Sequence, residues 1–211
     1  MKLIKIKDNF YSIPTNWYDI NLKQFLAIRS LKEKQNTESE IDYLLNFCSI
    51  ITKISVEELG KLTPNELGEV LGVLYSISEE KIPVEKKVCF KINGISYVFD
   101  SDLSKITYGQ FIDLDFLTKN KEFWEVEHRV CAIFIRPEKK SNYKAFKRLF
   151  KRNKNITSKD YLIEEYNYDS MEDRAKILFE NLPMPYANAV ADFFLNLGAN
   201  LQNSTQAYSQ K

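Results

Sequence analysis

Turn-forming residues are scarce in this chain of 211 residues, with six glycines and six prolines, and histidine occurs once. The first shortage excludes a loop-dominated or low-complexity chain and favours regular elements packed against one another. The second rules out a multi-histidine zinc site and leaves a histidine-based triad just one possible base, His128. Cysteine is sparse too: Cys48, Cys89 and Cys131 are odd in number, far apart, and set in apolar contexts such as "NFCSII" and "RVCAIF". They read as buried thiols from a reducing compartment, not as a disulfide framework. No window approaches 18 uninterrupted apolar residues, and the start "MKLIKIKDNF" lacks a continuous apolar stretch. The expectation is a soluble protein made in the cytoplasm, with no membrane partner. Nor is there an excess of charge of one sign: 30 basic against 29 acidic side chains exclude a global field steering the chain toward nucleic acid or an acidic surface.

Chemistry-bearing clusters are missing as well. Neither G-x-x-x-x-G-K-[ST] nor G-x-G-x-x-G appears, so no phosphate cradle and no cofactor are expected. Asp113 with Asp115, and Glu57 with Glu58, would serve acid–base work only if the fold brought further carboxylates close. Glu58 has a simpler role in a capping box with Ser55. Gly68 and Gly72 form a GxxxG whose expected use is close helix packing. The reading is therefore a non-enzymatic chain.

What is present is a large apolar fraction, 44%, with 14 Phe and 12 Tyr, enough for a real core. Two phrases stand out: "INLKQFLAI" at 20–28 and "ITYGQFIDL" at 106–114. In the second, Thr107 is an N-cap, Gln110 completes a capping box, and Ile106 and Phe111 occupy the positions of a hydrophobic staple. Asn21, Gln24, Ile20 and Phe25 take the same roles in the first. Upstream, "IKIKDNFYSI" (4–13) faces "FKINGISYVF" (90–99), each reading as a hairpin, with turns at Asp8-Asn9 and Asn93-Gly94. Downstream, "YLLNFCSII" (43–51) matches "VEHRVCAIF" (126–134), and "KLTPNELGEVLGVLYSI" (61–77) matches "NLPMPYANAVADFFLNL" (181–197), with Pro64 and Pro185 in opening turns. These correspondences predict an α+β, mostly helical fold made by tandem duplication of a module of β-hairpin plus helices. The first module covers 1–80 and the second 88–211, with a charged connector between them.

The second copy is longer by an insertion at about 136–170. Its first half, "RPEKKSNYKAFKRLFKRNK" (136–154), holds nine basic residues and one acidic. Tyr143, Phe146, Leu149 and Phe150 recur at helical spacing, with Lys144, Lys147, Arg148, Lys151 and Arg152 around them. Such a helix could lie on nucleic acid, on a membrane surface, in a partner's acidic groove, or on its own domain. The acidic second half, "KDYLIEEYNYDSMED" (159–173), favours the last. Those five basic residues are the candidate interaction surface. The polar end, "QNSTQAYSQK", lacks helical periodicity and is expected to be mobile.

The entry "IPTNWYDINLKQFLAI", the later "ITYGQFIDL" and the closing "LPMPYANAVADFFLNL" resemble in style small virion and tail-assembly proteins of tailed phages that infect Bacteroidetes, including the crAss-like phages. The resemblance implies a ring or connector subunit of the head-to-tail region, located in the virion and meeting other virion proteins and copies of itself. It leaves open a tail assembly chaperone absent from the mature particle. From the residues themselves comes a third reading, a nucleic-acid-binding module using the basic helix 143–152. No functional residue is carried over by the resemblance.

Overall fold

Alternating apolar residues at the start of the chain build a hairpin. In the computed structural model, which describes residues 1–6, 9–33, 39–119, 121–140 and 156–209, β1 (Lys2–Ile6) runs antiparallel to β2 (Asn9–Ile13). Ile4 lies opposite Tyr11 and Lys2 opposite Ile13, so Ile4 and Ile13 turn inward and are buried while Leu3 and Phe10 face out. Ile6 pairs with Asn9. Asn9 is therefore the first residue of β2 and not part of the expected Asp8-Asn9 turn, whose Asp8 lies outside the described residues. Alternation could not fix the register: moving a turn by one residue shifts the register by two and leaves every side chain on its face.

The chain falls into two units, Met1–Pro83 with Pro183–Pro185, and Val84–Leu182 with Tyr186–Lys211. In the first, the hairpin is followed by a 3-10 turn (Trp17–Asp19), α1 (Leu22–Glu33), α2 (Glu40–Thr52), the short α3 (Val56–Leu59) and α4 (Pro64–Glu79). Each start is chemically marked. Thr63 and Glu66 form a reciprocal capping box with Pro64 at the opening position, while Ser39 and Ser55 accept from Asp42 and Glu58 amides. Ile13, Leu22, Cys48, Leu59, Val70 and Leu74 form the core between these elements. Residues 183–185 belong here because Pro183 bridges to Asn21 and the Met184 amide donates to the Ile20 carbonyl at 2.9 Å.

Gly68 and Gly72 do not pack a helix closely in this unit. A Cβ added to either would meet nothing within 4 Å. A helix-interior glycine with that much room costs backbone entropy without a steric reason. Gly72→Ala is thus expected to raise stability by about 0.5–1 kcal/mol, read from the urea midpoint. A loss would show that the position is sterically closed.

The second unit opens with β3 (Cys89–Ile92) and β4 (Ile95–Phe99). Its turn is Asn93-Gly94 as expected, with φ of 50° and 80°, the pair of positive angles that a two-residue hairpin loop needs. A 3-10 turn (Leu103–Lys105), α5 (Tyr108–Thr118) and α6 (Phe123–Phe134) follow. The chain then passes directly into β5 (Ile135–Pro137), which pairs antiparallel with β4 to make a sheet of order β3-β4-β5. This sheet thus has a third strand where a hairpin alone was expected, and residues at the start of the presumed insertion are built into the unit. α7 (Tyr168–Asn181) packs along α6, and α8 (Met184–Ser209) lays Phe193 edge-on against Phe99 and Phe134 and Tyr186 against Phe90.

The fold is α+β and mostly helical, with two small antiparallel sheets. Hairpin, 3-10 turn, capped helix and second helix occur in that order in both units. α8 continues to Ser209, through a stretch expected to lack helical order. After Gly198 no glycine or proline interrupts the run. Extending a nucleated helix by one residue costs far less than starting one.

Candidate interaction surfaces

The five basic residues singled out from the sequence, Lys144, Lys147, Arg148, Lys151 and Arg152, lie outside the described residues. The surfaces that are described come from α5, from a groove on the first unit, and from a polar cleft on the second.

α5 is apolar nearly all round, and its cap decides which side faces in. Thr107 accepts from the Gln110 amide, and Gln110 Oε1 accepts from the Thr107 amide. Gln110 itself is buried, and its Nε2 donates to the Ile133 carbonyl near the end of α6. This fastens one face of α5, with Leu114 and Leu117, against the unit. The opposite face then carries Tyr108, Phe111, Ile112 and Phe116, spaced i, i+3, i+4 and i+8, at 79%, 50%, 47% and 76% exposure. Phe111, expected as half of a staple, is thus half in solvent. The ridge includes Asp115, and no Lys or Arg occurs from 106 to 118. Single exposed apolar residues are ordinary, but a contiguous aromatic stripe marks a contact surface.

In α1 the matching glutamine has the same two jobs. Gln24 Oε1 accepts from the Asn21 amide, Asn21 Oδ1 accepts from the Gln24 amide, and Nε2 donates to the Ile50 and Ile51 carbonyls at 3.1 and 2.9 Å. The outer face differs, however. Leu22, Phe25, Leu26 and Ser30 stand where α5 has Tyr108, Phe111, Ile112 and Phe116; Leu22 is buried and the other three are partly covered.

The first unit carries a groove of about 400 Å3 lined by Lys32, Tyr43, Leu44, Phe47, Leu71, Tyr75 and Ser78. Tyr43 and Phe47 stack one helical turn apart along α2 with centroids 6.4 Å apart. Across from them Leu71, Tyr75 and Ser78 recur at i, i+4 and i+7 on α4.

The second unit has a polar cleft of about 260 Å3, bounded by Asp100, Lys105, Arg136, Ser158, Tyr161 and Glu164 among others. At its floor Arg136 Nη2 donates to Asp100 Oδ2 at 2.7 Å, and Nη1 donates to the Glu164 carbonyl at 2.9 Å. Both side chains of the pair are about nine-tenths buried. Burial pulls the Arg136 guanidinium down and the Asp100 carboxylate opposes this. Arg174, on α7, is also buried and donates to the Ala132 carbonyl. Tyr166 donates to Asp113, and burial together with that carboxylate raises the phenol well above its usual range.

These groups are engaged in bonds that hold the fold. Asp100 accepts from Arg136 and Asp113 from Tyr166. Glu57 pairs with Lys61, and Glu58 accepts from Ser55. His128 is half-buried against the Phe179 ring, 5.4 Å between centroids. Burial and then the neighbouring Arg129 hold its imidazole below the usual range. Among the described residues no group of three His, Cys, Asp or Glu side chains could hold a metal, and no helix is long and apolar enough to cross a membrane.

Neither protein-family models, nor curated proteins, nor solved structures yield a match to this chain.

Proposed function

We propose that this chain is a non-enzymatic structural protein of a phage particle, a ring or connector subunit of the head-to-tail region that acts through protein–protein interfaces. The observation that carries the reading is the α5 ridge, four large apolar side chains on one helix face, each about half exposed or more. A surface of that kind is costly in a free monomer and is stabilised when a partner covers it. The apolar groove on the first unit adds a second such surface. The engagement of Asp100, Asp113 and Glu58 in structural bonds is consistent with a role in surfaces and not in a reaction. The order of hairpin and capped helix in both units supports the reading of a duplicated module.

Quantitative peptide mass spectrometry of purified particles tests this. A fixed copy number on the order of a dozen per particle is expected of a cyclic ring. Presence in infected cells but not in particles would replace it with the assembly chaperone. Absence from both would end the phage reading, and salt-sensitive binding to nucleic acid lost on neutralising Lys147, Arg148, Lys151 and Arg152 would then point to the basic segment.

A further inference from the structure

We infer that the α5 ridge of one copy of this chain seats in the α2/α4 groove of a second copy, forming a head-to-tail contact. The inference rests on the reading of the chain as a ring subunit and names the surfaces that would join its neighbours.

The two surfaces are unlike and complementary. One is a convex stripe on a helix, with Tyr108, Phe111, Ile112 and Phe116 as anchors at the spacing by which a helix docks in a groove. The other is a concave, mainly apolar trough walled by Tyr43, Leu44 and Phe47 of α2 and by Leu71 and Tyr75 of α4. Charge agrees with shape. The ridge carries Asp115 and no cation between 106 and 118, while Lys32 is the charged side chain in the groove lining. A ridge that meets a groove leaves one subunit with its groove unused and the other with its ridge unused. Such a contact propagates from copy to copy and gives a ring if the rotation closes, or a filament if it does not. A face that pairs with itself would stop at a dimer.

Sedimentation velocity with variants of the full chain tests this. Phe116→Glu removes the ridge and Tyr75→Glu the groove; Phe116 and Tyr75 are 76% and 66% exposed, so both variants fold. The wild type is expected to form species larger than dimers. Each variant alone is expected to be monomeric, with contact affinity reduced by about 30-fold or more, the loss typical of a central anchor. Mixed in equal amounts, the two variants are expected to form a one-to-one dimer and nothing larger, because each still has one intact half. Phe10→Glu, on the outward face of the β1–β2 hairpin, assembles like the wild type.

A mixture that stays monomeric, a single variant that assembles normally, or loss of assembly in Phe10→Glu overturns the inference. So does a wild type that stays monomeric up to about 1 mM, beyond which no specific contact is at issue. In that last case a ring-like copy number in particles would leave the functional reading standing with other surfaces, and a different virion protein would be the occupant of the ridge.

Discussion

Asp100→Ala is expected to lower the unfolding free energy by about 3–5 kcal/mol, the cost of leaving a buried guanidinium without its carboxylate. Arg136 is 7% exposed, its Nε has no hydrogen-bond partner, and Asp100 is the acid it meets. Without that acid one bond remains to the Glu164 carbonyl. Arg174 is a second buried cation, its ionisation depressed by burial first and then by the charge of Arg136. Urea denaturation followed by circular dichroism reads the effect as a lower midpoint at unchanged slope. Adding Arg136→Met to Asp100→Ala should restore part of the loss, because the stranded charge is then gone. A loss below about 1 kcal/mol in the single variant would place this pair with exposed ion pairs, in contact with water.

Gln24→Glu should be nearly as damaging, although it is a favourable exchange at most capping boxes. At α4 the same box is built with Glu66, whose carboxylate accepts from Thr63 on an exposed helix start. Gln24 must do more, since its amide also donates to the Ile50 and Ile51 carbonyls in a buried setting. A carboxylate there would face two carbonyl oxygens with nothing to donate. The expected loss at pH 7 is about 2–4 kcal/mol, combining the lost bonds with the desolvation of a charge. Protonation would restore one donor, so the introduced carboxyl has a folded-state pKa above its unfolded value of about 4.3. The folded state then holds the extra proton across that window, and stability falls as pH rises through it. Thermal denaturation from pH 4 to 7 should therefore show a larger deficit at the upper end. A deficit independent of pH would mean that the charge is not buried. Glu66→Gln, by contrast, is expected to change stability by less than about 0.5 kcal/mol.

Helix starts were the legible part of this chain. Asn21, Thr63 and Thr107 cap where the sequence places caps, because a cap is a local bond between residues three apart. The second role of Gln24 and Gln110 was not legible. Their carbonyl partners lie 26, 27 and 23 residues along the chain, and no local pattern encodes that separation. The same limit explains β5. Ile135 and Arg136 continue α6 in sequence, and only pairing with Phe99 and Val98 makes them a strand. The α5 ridge was hidden for a different reason. In "YGQFIDLDFLT" apolar residues fall on both faces, so spacing cannot say that Leu114 and Leu117 go in while Phe111 and Phe116 stay out. The Gln110 bond to Ile133 settles the orientation. Of the basic segment, Arg136 shows how composition misleads: counted among nine solvent-seeking charges, it is buried on Asp100.

The burial of two of the three thiols gives the chain its own reporter. Cys48 and Cys131 are fully buried, and burial pushes the Cys48 thiol up to about 11 and that of Cys131 well above its usual range. Neither presents a thiolate to solution at neutral pH. Cys89, partly exposed on β3, is the one a water-borne alkylating reagent meets first. Mass spectrometry of labelled chains would then count opening events directly. One adduct marks a folded copy, and the second and third record release of Cys48 in the first unit or Cys131 in the second, so the order in which those adducts arrive tells which unit lets go first.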